Sequence, residues 1–452
     1  SLMDGVQRRG FIKLMAASFG LAGLGMTGCR RPEHSILPHG KSPEELIPGV
    51  PTFYSSARPT SGGFIPLIVE SHEGRPTKIE GNPSHISSGG STDVYSQASL
   101  LDLYDPDRAR GCFSKETINQ SGNSSIRWKK TPSVEILDTI SSVENMDKIG
   151  IVTDYSFSLV RDSLLKELKV KGVKHFQHEA IDFFSQEQSL ANALGCEFSV
   201  RAIPDFSKAK KVLSLDSDFL GHREPNSSVN SKTFMQGRKV LKPEDTKKMN
   251  RLYSVESDLT VTGGVADHRL RLSSVEIEAF SALILSKLLT ATGKDKSKLS
   301  KHVQTISESA KPHEKWAVEC VVDLLKSPKK SLVVAGSHLP QAVHLLTFKI
   351  NEILENREEC ISYIKIESRA NSLSSLVKSL ENKEIETLIF IGGNPCYNCP
   401  NIAWGELLED VTTSCRISHS IDETSQFCDY HIGQSHFLES WDLGCTWSND
   451  YI

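Results

Sequence analysis

The sequence predicts an α/β protein in which a small β-rich N-terminal domain precedes domains built on doubly wound parallel sheets. Three observations carry this expectation. Short runs that are apolar throughout recur from Ile149 onward. Amphipathic stretches of helical period separate them, clearest at Val275–Thr292 and His313–Ser327. Ahead of both lie two short β runs around a Gly-containing turn, the pattern of a hairpin. Strands that lack a polar face and alternate with helices require a parallel sheet covered on both sides.

The bulk numbers set limits. With 452 residues, 38% hydrophobic and 24% charged, the chain can bury a large core over two or three soluble domains. Its 52 basic and 56 acidic residues give a net charge of −4 and are well mixed. No basic stripe exists to neutralise phosphates, so nucleic acid is excluded as a partner class. Beyond the N-terminus no apolar run approaches the roughly 20 residues that span a bilayer. Ten cysteines are too few for a disulfide-stapled scaffold. Five of them fall in the last 57 positions and raise the question of a local redox or metal site.

Residues 1–29 read as an export signal. Arg8-Arg9-Gly10-Phe11-Ile12-Lys13 fits the twin-arginine pattern, with Arg8, Arg9, Phe11 and Lys13 as its defining positions. A modestly apolar stretch follows from Leu14 to Gly28. A short buried helix is the structural alternative, but Gly20, Gly23, Gly25 and Gly28 would cost it roughly 1 kcal/mol each. Met26-Thr27-Gly28-Cys29 resembles a lipobox, which makes Cys29 a candidate for lipidation. A signal that is uncleaved or ordinarily cleaved is the other reading. The twin-arginine route carries proteins already folded, often around a cofactor, so the signal itself asks which cofactor that would be.

Residues 30–52 contain Pro32, Pro38, Pro43, Pro48 and Pro51 and read as an extended tether. Residues 53–111 form the small β-rich domain, with Phe64–Glu70 and Pro76–Glu80 as hairpin strands and Gly81-Asn82-Pro83 as a second turn. Residues 112–329 make a first α/β domain with a helical part, with strands at Ile149–Asp154, Lys211–Asp216 and Arg251–Glu256. Residues 330–452 make a second one, with strands at Lys330–Gly336 and Glu386–Gly393. The Lys- and Ser-rich segment 294–312 reads as a solvated connection. Ligands of such sheets sit beyond the strand C-terminal ends. Here those ends read Asp216-Ser217-Asp218, Gly336-Ser337-His338 and Gly392-Gly393-Asn394-Pro395.

The run Val69–Pro83, followed by Leu103-Tyr104-Asp105-Pro106-Asp107-Arg108, resembles the N-terminal domain of molybdopterin oxidoreductases. More specific phrases follow at Leu213–Leu220, Thr262–Arg269, Gly392–Pro395, Asp422–Thr424, His431 and His436–Trp441. Together with Arg8–Lys13 and Thr27–Glu33 they are similar, nearly end to end, to the large B subunits of the bacterial alternative complex III. The resemblance implies a molybdopterin-oxidoreductase-like fold with Rossmann-like sheet domains. It also implies a subunit of a quinol-oxidising membrane complex whose molybdopterin-like half has lost its cofactor. In that family a ferredoxin-like C-terminal half carries the iron–sulfur clusters, which pass electrons from the quinol-oxidising membrane subunit toward cytochrome c subunits. The chain ends at Ile452, where the family continues, and so reads as a fragment or a split gene without that half. The implied location is the periplasmic face of the inner membrane.

The residues themselves assemble no complete catalytic, cofactor or metal site. A four-iron cluster at the start of an active molybdopterin enzyme needs about four thiolates. Between Pro51 and Gly111 there is no cysteine, and Tyr54–Arg58 and Gly89–Asp93 stand where the ligands would be. No Ser, Cys or Asp is singled out as a molybdenum ligand, so no molybdopterin is expected, and iron–sulfur clusters are expected only in the missing half. Cys396-Tyr397-Asn398-Cys399 is the one close thiol pair. It reads as buried thiols, as a disulfide formed after export, or as a thioredoxin-like or metal site. His268, His431 and His436 read as hydrogen-bonded anchors; Asp216 and Asp218 could hydrogen-bond a ligand, but the family's loss of cofactor favours a structural turn or a subunit contact. Whether the chain belongs to an enzyme is left to its complex. The alternatives to a cofactor-less scaffold are an exported molybdopterin-dependent oxidoreductase and an exported thiol-redox lipoprotein.

Overall fold

The computed structural model describes residues 46–120, 123–181, 184–294, 300–366 and 371–452. Arg8, Arg9, Phe11, Lys13 and Cys29 of the expected export signal lie outside them, as does most of the expected tether.

The body Pro51–Ile452 begins with β1 (Thr52–Arg58), β2 (Ile65–His72) and β3 (Arg75–Gly81), an antiparallel sheet in that order. Leu67, Val69 and Ile79 fill one face of the β2–β3 hairpin, as period-two alternation requires. The sequence reading did not anticipate β1. Its polar run Tyr54-Ser55-Ser56 has no buried face, and pairing with β2 rather than burial makes it a strand.

Next come β4 (Cys112–Gln120) and β5 (Asn123–Lys130), an antiparallel pair, then β6 (Ile149–Thr153), the helix Leu159–Val170 and β7 (Lys174–Gln177) parallel to β6. The chain then leaves this sheet. It forms β8 (Ser199–Pro204), β9 (Lys211–Leu215), β10 (Arg251–Glu256), β11 (His268–Arg271) and β12 (Ser331–Ala335). β9 to β12 are a parallel sheet in the order β11-β10-β9-β12. β13 (Ile361–Ile366) pairs antiparallel with β8. The chain returns with β14 (Asn371–Ser372), β15 (Thr387–Ile391), β16 (Thr413–Ser418) and β17 (Tyr430–Gly433). These complete an eight-stranded sheet in the order β14-β7-β6-β15-β16-β17-β4-β5, parallel except at the β17, β4 and β5 end.

The expected division between residues 329 and 330 is therefore not where the sheets divide. β12, just past it, pairs with β9, whereas β6 and β7 pair with strands that follow residue 370. An apolar run reveals that a strand is buried but not which strand lies beside it, so a linear reading placed consecutive strands together.

The helix Ile277–Ala291 is buried at Ile277, from Phe280 through Leu285, and at Leu288 and Leu289, so it runs through the core rather than along its surface. It packs with the helix Glu314–Leu325 over β9, β10 and β12 in the largest apolar cluster. The expected solvated connection at 294–312 contains the helix Lys301–Ser309, a correction to that reading. The Ser300 hydroxyl accepts a hydrogen bond from the Val303 N–H at its start, and Val303 and Ile306 pack on the core. Two apolar residues three apart among lysines and serines were too faint a helical signal. Among the described residues no helix is long and apolar enough to cross a membrane.

Candidate functional site

Several of the parallel strands end at acidic side chains, Asp154 after β6, Asp216 after β9 and Glu256 at the end of β10. Asp216 follows β9 in a left-handed conformation, φ 50°, which turns its carboxylate back over the sheet. There it accepts hydrogen bonds from the Ser257 N–H at 3.1 Å, the Ser257 hydroxyl at 3.2 Å, the Ser274 hydroxyl at 3.2 Å and His338 Nε2 at 3.4 Å. Burial pushes Asp216 up, but His338, Ser257 and Ser274 together hold it below the ordinary carboxylate range. Asp218 Oδ1 accepts from the Thr262 N–H and hydroxyl at 3.0 and 2.9 Å. Glu256, at the end of β10, accepts from Arg269 Nε at 2.5 Å and the Thr260 hydroxyl at 2.7 Å. Asp216 and Asp218 are thus committed to the protein's own donors.

The eight-stranded sheet does the same with cations. Arg416, on β16, is almost wholly buried and donates to both carbonyls of the Gly392-Gly393 turn. Its Nη2 and Nε also reach Asp422, at 2.5 and 3.1 Å. Asn394 Oδ1 accepts from the Thr424 hydroxyl at 2.6 Å, and Asn394 Nδ2 donates to Glu423 at 2.7 Å. The phrases Gly392–Pro395 and Asp422–Thr424 are therefore clamped on one another. Asp154, after β6, accepts from Arg161 Nη1 at 2.6 Å.

The segments Tyr54–Arg58 and Gly89–Asp93 also meet. Arg58 at the end of β1 approaches Asp93 at 3.8 Å, and both line a cleft with Phe64, Arg223, Glu224 and Trp447. The Ser55 hydroxyl accepts from Asn82 Nδ2 at 3.2 Å, which joins the Gly81–Pro83 turn to β1. The donor set there is hydroxyl, guanidinium and carboxylate, with no sulfur, so an iron–sulfur cluster does not fit. A pterin dinucleotide fits no better at the strand ends. A diphosphate wants free N–H groups and cations. Here a Cβ at Gly392 would overlap the Asp154 carboxylate and one at Gly263 the Glu256 carboxylate, so the space beside both glycines is filled by acidic side chains. Among the described residues no three His, Cys, Asp or Glu side chains converge as a metal-binding group.

Cys396 lies on the short helix Pro395–Asn398 and Cys399 caps its C-terminal end, both as free thiols. Cys396 is buried, its N–H donates to the Thr424 hydroxyl, and burial pushes its thiol up to about 11. Burial raises Cys399 as well, and its Sγ lies 3.6 Å from His178 Nε2. A redox-active pair needs an easily formed thiolate, and this environment works against one. His431 hydrogen-bonds the Ser425 hydroxyl at 3.1 Å, and burial pushes it down to about 4. His436 hydrogen-bonds the Ser99 carbonyl at 3.1 Å, and His268 stacks on Tyr253 with ring centroids 4.8 Å apart. His431 and His436 thus make anchoring hydrogen bonds, whereas His268 is exposed and makes a ring contact.

Sequence reasoning missed Glu224, Arg201, Arg416 and Trp447. An arginine inside the otherwise buried run Thr413–Ser418 was a usable signal, because a buried guanidinium demands a partner. Nothing local marks Glu224. The Ser337 N–H donates to its carboxylate at 3.0 Å, but burial dominates and pushes it up to about 7 from an ordinary 4.5. The folded chain therefore binds this proton more tightly than the unfolded one. The cost of ionising Glu224 is nil below about pH 4.5, grows between 4.5 and 7 and is complete above 7. Glu224→Gln is accordingly expected to raise unfolding stability by about 2 kcal/mol at pH 8 and to leave it unchanged at pH 4.5. Urea melts at both pH values check this, and an equal gain at both would refute the assignment.

The sequence matches no established protein-family model and no curated protein. Among solved structures the chain is similar to acetylene hydratase from Pelobacter acetylenicus, with a TM-score of 0.62 and 10% identity. The match covers 85% of this chain and 63% of that one, so the chain spans less than two thirds of the enzyme's length. At this identity the likeness concerns fold alone. The fold is molybdopterin-oxidoreductase-like, with a small antiparallel N-terminal sheet followed by parallel-sheet α/β architecture.

Proposed function

We propose that the chain is a non-catalytic, cofactor-less scaffold portion of the iron–sulfur electron-transfer subunit of a quinol-oxidising respiratory membrane complex of the alternative complex III type. One observation carries this reading. In this molybdopterin-oxidoreductase-like fold the cleft is lined by Arg58, Asp93 and Glu224 with no thiol among its lining residues, and at the strand ends Asp216 and Asp218 are taken up by the protein's own donors, which suits neither thiolate-bound iron nor a diphosphate. The resemblance of the phrases from Val69 to Trp441 supports the assignment to that complex.

On this reading the chain performs no bond chemistry. It supplies rigid surfaces that hold a ferredoxin-like iron–sulfur domain, cytochrome c subunits and the quinol-oxidising membrane subunit in register. The clamped turns at Gly392–Asn394 and Asp422–Thr424 suit that role, since buried ion pairs fix their geometry without a bound group. The twin-arginine motif at Arg8, Arg9, Phe11 and Lys13 supports placement at the periplasmic face of the inner membrane, with Cys29 as a candidate lipid anchor.

The test is metal analysis of the whole chain, made with its own N-terminus in a bacterium that has twin-arginine export and molybdopterin and iron–sulfur assembly. The expected result is an exported protein with less than about 0.1 molybdenum or iron per chain, far below what a resident cofactor gives. Stoichiometric molybdenum or iron overturns the scaffold reading. Recovery from the cytoplasm alone overturns its export.

A further inference from the structure

The eight-stranded sheet ends in β4 and β5, and this pair runs past its neighbour. β17 pairs with β4 only from Cys112 to Ser114, whereas β5 pairs with β4 from Phe113 to Gln120. The last ties inward are made by Lys115. Its N–H donates to the Asp429 carbonyl at 2.8 Å, and its Nζ to the Gln426 carbonyl at 2.6 Å. Beyond that point β4 has, among the described residues, no strand partner but β5. The outer half of the pair is a two-stranded arm, a structure that in water is marginal without a third strand.

The open edge of this arm has a defined pattern. The Lys115 N–H points away from β5, so Lys115 and its register partner Trp128 are a non-hydrogen-bonded pair. The N–H and C=O of Trp128 therefore face outward, and period two places those of Ile126 and Lys130 on the same side. Among the described residues no strand takes them up. The side chains divide as regularly. Ile126, 47% exposed, shares one face with Trp128, whose ring stands edge-on to His431 at 6.1 Å. Arg127 and Lys129 share the other face, and both are exposed. Lys129 Nζ lies 3.2 Å from Glu116, and Arg127 has no ion pair among the described residues. Over residues 112–130 Lys115, Arg127, Lys129 and Lys130 stand against Glu116 alone, in a chain whose net charge is −4.

We infer that the outer edge of β5 is the docking site for an extended segment of a partner protein, alternating apolar and acidic residues, which adds to the sheet as one more strand. The outward main-chain groups of Ile126, Trp128 and Lys130 pair with it. Its apolar side chains lie beside Ile126 and Trp128, and its carboxylates beside Arg127 and Lys129. A second copy of the chain fits worse. Two β5 strands paired antiparallel about Trp128 set Arg127 of each copy against Lys129 of the other, and like charges directly opposite are destabilising. Cations on an open edge also deter neutral strands, so the residues that guard this edge select its occupant.

The probe is a fluorescein-labelled peptide of about seven residues that alternates glutamate and valine, the length of an ordinary strand. Titrated with the full chain and read by anisotropy, it is expected to saturate at one site per chain with a Kd below about 1 mM. A version with lysine for glutamate is expected to bind at least tenfold more weakly. A strand turns every second N–H toward its neighbour. N-methylating one alternate set of peptide residues should therefore abolish binding, and N-methylating the other should leave it nearly unchanged. Ile126→Pro removes an outward N–H and no hydrogen bond to β4, so it is expected to weaken the peptide at least tenfold with little change in the urea midpoint. Arg127→Gln/Lys129→Gln should weaken it at least fivefold, and remains decisive if Ile126→Pro frays the arm. No saturable binding overturns the inference. So does equal binding of polyglutamate of the same charge, an equal response to the two methylated sets, or a chain that dimerises through β5 instead. Metal content does not enter these readouts, so the scaffold proposal can fail without touching this one.

Discussion

Glu187→Gln is expected to destabilise the chain by about 3–5 kcal/mol, the cost of leaving a buried guanidinium without its carboxylate. Glu187 is fully buried and accepts from Arg201 Nε at 3.0 Å and Nη2 at 2.8 Å. Arg201 Nη1 donates to the Trp447 carbonyl at 3.2 Å, and the guanidinium lies over the rings of Trp447 and Phe157, at 3.8 and 4.8 Å. One side chain thus ties the helix Phe184–Leu194, β8 and the loop that bears Trp447. The amide keeps the shape and loses only the charge. The double variant Glu187→Met/Arg201→Met removes both charges and is expected to recover most of the loss, because a matched apolar pair avoids the desolvation of two ions. Urea melts of the three chains measure this. A single variant within about 0.5 kcal/mol of the parent would show that the pair is not coupled.

Arg416→Met is expected to cost a similar 3–5 kcal/mol, with a local signature as well. The methionine fills the volume but cannot donate to the Gly392 and Gly393 carbonyls, and it leaves the half-buried Asp422 without its cation. The clamp between Gly392–Asn394 and Asp422–Thr424 then loosens before the rest of the sheet unfolds. Amide exchange should accelerate in those two segments more than in β6 or β15. Cys396, whose N–H is held by Thr424, should become reactive toward a thiol reagent that the parent resists. Uniform acceleration across the sheet, or no change at Cys396, would show that Arg416 acts only through global stability.

Much of the fold could be read from residue patterns. β6, β9, β10, β12 and β15 lie where apolar runs placed them, and so do the helices Ile277–Ala291 and Glu314–Leu325. The strands are buried along nearly their whole length and each helix turns an apolar face of helical period to the core, so the burial pattern identifies them. The arrangement of the sheets was not legible, because neighbouring strands come from distant parts of the chain and the hydrophobic pattern carries no record of partners. β1 escaped notice because backbone pairing alone makes it a strand. The site divides in the same way. The lack of cysteine from Pro51 to Gly111 is a property of composition and could be read directly. Glu224 and Arg201 owe their character to what surrounds them, which only three-dimensional packing supplies.

The excursion of the chain between β7 and β14 bears on how the protein is made. On the ribosome Ile149 emerges long before Thr387, its partner across the middle of the eight-stranded sheet. Until then the nascent β6–β7 pair exposes an open, apolar edge of the kind that recruits other chains into aggregates. The inserted β9–β12 module closes on itself and can fold while that edge waits. Synthesis paused anywhere between Lys365 and Thr387 should yield a protease-resistant core around β9–β12 beside a chaperone-dependent remainder.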